Sequence, residues 1–182
     1  MNSGLRSSRT KLHGAVSIIV FLASGFGVAA ADMVVFSIVD RVQFSVPGDW
    51  VVIASKSGAK RTTFAFQIKN PADEGTPDST NLAVNSYYLK DHDAKDAFDK
   101  RKSSQDPKAH TKELTDNWEC STFSALQNTT PYEDWDCFRT INECGVFVRM
   151  AWPHLPKNPP DYDDQMKTAL VDVLRSFAPS PK

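Results

Sequence analysis

Histidine and cysteine are scarce in this chain, at four and three of 182 residues, and neither is arranged as catalytic or metal sites usually require. Cys120, Cys137 and Cys144 contain no paired CxxC unit, which argues against a structural zinc centre. After residue 31 the histidines are His92, His110 and His154, far apart and each in a charged or loop context. No GxSxG elbow, HExxH helix or phosphate-binding P-loop occurs. No basic surplus exists to hold nucleic acid. Beyond the N-terminal segment no apolar run approaches the ~20 residues of a membrane span. The expectation is a non-enzyme with no cofactor, no metal, no nucleic-acid partner and no stable membrane insertion.

What is present begins with the N-terminus. Arg6, Arg9 and Lys11 precede an uncharged apolar run from Ala15 to Phe26, and Ala29, Ala30 and Ala31 close it. That is the layout of a secretory signal peptide over residues 1–31, with cleavage after Ala31 or one residue earlier. The remainder, residues 32–182, is the length of one domain with a substantial core. Removing the three leader cations from 21 leaves 18 against 22 acids, a net charge of −4. Localisation is expected to be periplasmic or secreted.

Periodicity outlines the fold. Val42, Phe44 and Val46 alternate with polar residues, as do Phe64, Phe66 and Ile68, the pattern of half-buried strands. Pro47-Gly48-Asp49 is turn chemistry, and Trp50 with Val51, Val52 and Ile53 reads as a second strand on the core edge. A polar loop containing Glu74 and Asp78 follows, then a strand over "LAVNSYYL". Asp93 is placed to cap a short helix. Three strands come next, and Asp161 to N-cap a terminal helix whose Tyr162, Met166, Leu170, Val173, Leu174 and Phe177 recur at helical spacing. "DYDD", at 161–164, invites a calcium reading, but the EF-hand pattern is absent and helix capping accounts for the acids. The sequon at Asn128 reads as a hairpin turn. The class is α+β, with a central, mainly antiparallel sheet flanked by helices.

Export permits a disulfide. A hairpin centred near Asn128-Thr129 sets Cys120 opposite Cys137 and Thr122 opposite Trp135, which favours a Cys120–Cys137 bond. The rival is Cys137–Cys144, for which the "NECG" turn sets Cys137 opposite Met150 instead; a fully reduced state is the remaining case.

The opening "FSVPGDW", Phe44–Trp50, and the closing "DDQMKTALVDVLRSF", Asp163–Phe177, resemble the PsbP-like superfamily over most of the chain after the leader. That superfamily includes the extrinsic PsbP proteins of photosystem II, a Ran-binding nuclear import factor and many small exported bacterial proteins. The resemblance implies an α/β/α sandwich, an inward-facing Trp50 and action by binding other proteins. It transfers no catalytic residue. The function expected is an exported protein-binding domain, most specifically a periplasmic inhibitor or immunity-type protein that neutralises a toxin or enzyme. The alternative is a small-ligand or ion-binding accessory or assembly factor of the bacterial envelope. The acidic balance favours a basic partner by electrostatic steering. The candidate partner surface is the proline-rich segment with Trp152, His154, Leu155 and Tyr162, together with Glu74 and Asp78.

Overall fold

A computed structural model describes residues 32–58, 61–72, 80–88, 93–104, 110–112, 114–115 and 117–181. Residues 1–31, the expected signal peptide with its cleavage site, lie outside them. The elements in chain order are β1 (Met33–Ile38), β2 (Val42–Pro47), β3 (Val51–Ser57), β4 (Arg61–Ile68), β5 (Thr80–Tyr88) and α1 (Asp93–Ser104). They continue as β6 (His110–Lys112), β7 (Glu119–Gln127), β8 (Thr130–Ile141), β9 (Cys144–Pro153), α2 (Tyr162–Ser176) and β10 (Ala178–Pro179). A seven-stranded antiparallel sheet runs in the order β3-β4-β5-β9-β8-β7-β6, and a three-stranded one in the order β1-β2-β10. The class is therefore α+β, dominated by antiparallel sheet.

Side-chain alternation gives the large sheet two different faces. On one, Phe64, Phe66, Leu82, Val84, Cys120, Trp135, Cys137, Val148, Met150 and Trp152 are buried. The α2 stripe closes that face: Leu170, Val173 and Leu174 are fully buried. The small sheet covers its other end through Phe36 and Phe44, whose rings lie 5.0–6.2 Å from those of Phe64 and Phe66. Phe177 stacks on Phe44 at 4.8 Å and meets Trp118 edge-on at 5.2 Å, joining helix end, small sheet and large sheet. On the opposite face α1 lies against β9, β8 and β5. Phe98, fully buried, anchors it near Phe138 and Phe147.

The β7–β8 hairpin turns at Asn128-Thr129, with φ of 46° and 73°, the left-handed values a two-residue type I′ turn requires. Cys120 faces Cys137 and Thr122 faces Trp135, as the alternation predicts, and a Cys120–Cys137 disulfide forms. The next hairpin differs from expectation. Its tip is Asn142-Glu143, at φ 46° and 63°, rather than a wider turn using Gly145. Gly145 instead pairs with Thr140 inside the strands, and Cys137 faces Val148, not Met150. Cys144 is a buried free thiol, its pKa raised by that burial.

Three further features depart from the periodicity reading. β1, the three-residue β6 and the two-residue β10 are strands beyond those that the alternation marks. Asp161 occupies the N-cap position of α2 but makes no side-chain cap bond; its carboxylate accepts from the Gln165 side-chain amide at 2.8 Å. Trp50 packs against the core only in part, and the core-edge reading of Val51, Val52 and Ile53 is overturned: they are 59%, 45% and 56% exposed. The cause is topological. β3 is an outer strand, exposed along its whole length, and the rings of the small sheet pack on Phe64 and Phe66 of β4. A register shift between Val52 and Ala54 breaks this edge, and Lys56 charges it, both devices that discourage edge-to-edge pairing. Gly48 has a clear requirement: a Cβ there would sit 2.7 Å from the Asp32 carbonyl oxygen that its own N–H bonds.

Two measurements test this packing. Leu170→Ala is expected to cost about 2–5 kcal/mol in denaturant unfolding, since it opens a cavity beneath α2; an unchanged stability would show that the helix is not docked. Non-reducing peptide mapping should return one Cys120–Cys137 crosslink, with Cys144 alkylated only after unfolding. A Cys137–Cys144 peptide would refute the register.

Candidate functional site

The proline-rich connection between β9 and α2 was a candidate partner surface, and most of it is pinned. Trp152 is fully buried and Tyr162 is 2% exposed, so neither reaches a partner. Their size and aromatic character made them look like anchors, but β9 alternation turns Trp152 into the core, and the Tyr162 hydroxyl is bonded to Thr80 Oγ1 at 2.7 Å. Asn158 Nδ2 donates to the Pro153 carbonyl at 2.8 Å, and the His154 N–H donates to the Pro131 carbonyl at 2.8 Å. Of the named candidates in this connection, His154 and Leu155 remain at the surface, both half-buried, beside exposed Pro156, Lys157 and Pro160. Glu74 and Asp78 lie outside the described residues.

His154 lies at a corner where three elements meet. Glu133, near the start of β8, shares a sheet face with Trp135 two residues on, and the Trp135 indole N–H donates to Glu133 Oε1 at 2.8 Å. Glu133 pairs in register with Trp152. The Trp152 indole N–H donates to Asp163 Oδ1, in the first turn of α2, at 2.9 Å. The imidazole sits between the two carboxylates, with Nε2 3.7 Å from Glu133 Oε2 and Nδ1 3.4 Å from Asp163 Oδ2. Lys167, one turn along α2, approaches Glu133 Oε1 at 3.6 Å. Sequence reasoning found His154 and treated Asp163 as a helix-terminus charge, but missed Glu133. The available signal was the i, i+2 spacing of Glu133 and Trp135 on a strand.

A second feature lies along the outer side of α2. A groove of about 580 Å³ runs between the helix and the β1–β2 hairpin, lined by Met33, Pro47, Asp161, Asp164, Thr168 and Asp172. Asp161, Asp164, Thr168 and Asp172 follow at spacings that keep one helix face, opposite the buried stripe. Most of the groove's accessible lining is apolar, including Met33, which is 39% exposed, and three aspartates stand along its helix side.

A third cluster is structural. On the α1 face of the sheet, Asp134 and Asp136 are each 1% exposed. Both Arg149 Nε and Nη2 donate to Asp134 Oδ1, at 3.0 and 2.7 Å, and Arg101 of α1 donates to Asp136 Oδ2. Each acid thus meets a guanidinium, and α1 is tied to the sheet by charge as well as by Phe98. The pairing is incomplete, because Asp134 Oδ2 and Asp136 Oδ1 have no hydrogen-bond partner among the described residues. Burial raises the Asp136 pKa, opposed by the bond to Arg101 and by the charges of Arg101 and Arg149.

No protein-family model matches the chain, and no curated protein matches it. Among solved structures, a crystal structure from Bacteroides thetaiotaomicron VPI-5482 at 1.50 Å resolution is similar, with a TM-score of 0.46 and 14% sequence identity. The similarity covers 78% of this chain and 46% of that one, so the chain spans less than half of that protein's resolved length.

Because Asp136 has a raised pKa when folded, it holds its proton more tightly in the native state than in the unfolded one. Its contribution to stability is present below its ordinary pKa of 3.8 and is lost as pH rises through the folded value. Asp136→Asn cannot ionise, so its stability relative to the parent should improve as pH rises from 3.5 to 7. Urea unfolding at the two pH values reads this; a relative loss on raising the pH would contradict it.

Proposed function

We propose that the protein is an exported, non-enzymatic protein-binding domain, most specifically a periplasmic inhibitor or immunity-type protein that neutralises a toxin or enzyme with a basic surface. The observation that carries this reading is the acidic groove along α2. Three aspartates, Asp161, Asp164 and Asp172, line one side of a concave surface whose other wall includes exposed Met33. That combination fits a basic side chain or loop with an apolar stem, such as arginine or lysine on a protein partner. The −4 charge of residues 32–182 would steer such a partner toward the surface. The placement among PsbP-like proteins, with their sandwich fold and binding roles, is part of the same proposal, supported by the opening and closing motifs and by one helix on each face of the large sheet.

Immobilised protein should capture a basic partner from an envelope extract of the native source. The double variant Asp164→Lys/Asp172→Lys should then weaken the purified interaction by about tenfold, mainly through slower association, with melting temperature unchanged. Raising salt should weaken the parent interaction in the same direction. Affinity indifferent to both the substitutions and salt would refute this surface.

A further inference from the structure

We propose that Glu133, His154 and Asp163 bind one divalent transition-metal ion of the zinc class. This goes beyond the protein-binding reading and uses different residues, so either can fail alone. The donor set is one imidazole and two carboxylates, brought together from the start of β8, the end of β9 and the first turn of α2. One ligand atom from each lies within 4.8 Å of the other two. A tetrahedral zinc ion with bonds of about 2.0–2.2 Å holds its ligand atoms about 3.4 Å apart. The 3.4 Å and 3.7 Å separations run to different ring nitrogens, Nδ1 for Asp163 and Nε2 for Glu133, so a single ion takes one nitrogen and the bound geometry needs the opposite carboxylate to turn toward it. Small side-chain rotations complete it, and the side chains have room: His154 and Asp163 are 36% and 39% exposed.

The surroundings distinguish this corner from an ordinary surface cluster. Each carboxylate has one oxygen held by the indole N–H of a buried tryptophan, Trp135 for Glu133 and Trp152 for Asp163. In both cases the other oxygen is the one that faces His154. Such outer hydrogen bonds orient ligating groups in metal sites. Lys167 approaches Oε1 of Glu133, the oxygen that the Trp135 indole holds, at 3.6 Å. The chemistry selects the metal. An imidazole suits zinc and its neighbours, whereas calcium and magnesium take oxygen ligands in larger number than three residues supply. Three protein ligands leave a fourth position for water.

Titration of the purified protein with zinc by calorimetry, and with cobalt by visible absorption, tests the proposal. One ion per chain is expected. His154→Ala and Glu133→Gln should each weaken binding at least tenfold, and Trp135→Phe, which keeps every ligand but removes an orienting donor, by about tenfold. His110→Ala and Asp164→Lys/Asp172→Lys should leave it unchanged. Thermal unfolding of each variant identifies any that fail to fold. Absence of saturable binding to the parent, or equal binding by a folded His154→Ala variant, would overturn the proposal.

Discussion

Burial of the α2 stripe against one face of the seven-stranded sheet is the interaction on which the other features depend. Met166, Leu170, Val173 and Leu174 are buried in one core cluster with the inward side chains of the strands, beside the cover that the small sheet gives. Once α2 is seated, its first turn is fixed at one corner of the sheet and its last turn at the other. The first turn carries Asp163 to the Trp152 indole and to His154. The last turn places the Leu174 carbonyl on the Trp118 indole N–H at 3.1 Å and delivers Phe177 onto Phe44. The outer side of the same helix supplies the acids of the groove. One hydrophobic contact thus positions both candidate surfaces.

The two sheet faces are stabilised by different physics. The α2 side is apolar and aromatic, with charged Glu133 at its margin near His154 and Lys167. The α1 side buries two aspartates beneath a helix with a single large apolar anchor. Removing carboxylates from water is costly, and their arginine partners offset that only in part, as the raised pKa of Asp136 shows. The weaker apolar driving force under α1 fits its composition, since nearly every other residue from Lys95 to Lys102 is charged. Lys95 and Lys102 add bonds to Glu119 at 3.0 and 3.1 Å, at the exposed margin where such pairs contribute little.

Local patterning made much of the fold legible. The strand alternation of Phe44, Phe64 and Cys137, the helical spacing from Tyr162 to Phe177 and the hairpin register around Asn128 are set within a few residues, and those readings agree with the structure. Readings that need to know what lies on the far side of a residue were less secure. Val51 to Ile53 have strong strand character, yet nothing local says that their strand is outermost. The β8–β9 turn was misplaced because Gly145 drew attention from Asn142, which adopts positive φ with little penalty. Trp152 looked available to a partner until the sheet supplied its cover. Of the corner site, only His154 and Asp163 stood out beforehand, since Glu133 is one acid among many until the register sets it beside Trp152.

The two-residue strand β10 lies just before the C-terminus and completes the sheet that the first strands begin. Ala178 pairs with Gln43, the Ser180 N–H bonds the Arg41 carbonyl at 2.9 Å, and Ser176 Oγ bonds the backbone of Ser45. These contacts join residues more than 130 positions apart. The nascent chain therefore cannot close its small sheet until the segment that follows α2 has been made, and such long-range closure slows folding. The β1–β2 hairpin can pair as soon as it is made, but its outer edge stays open until residues 178–179 reach it, so the earliest and latest parts of this fold are sealed in one step.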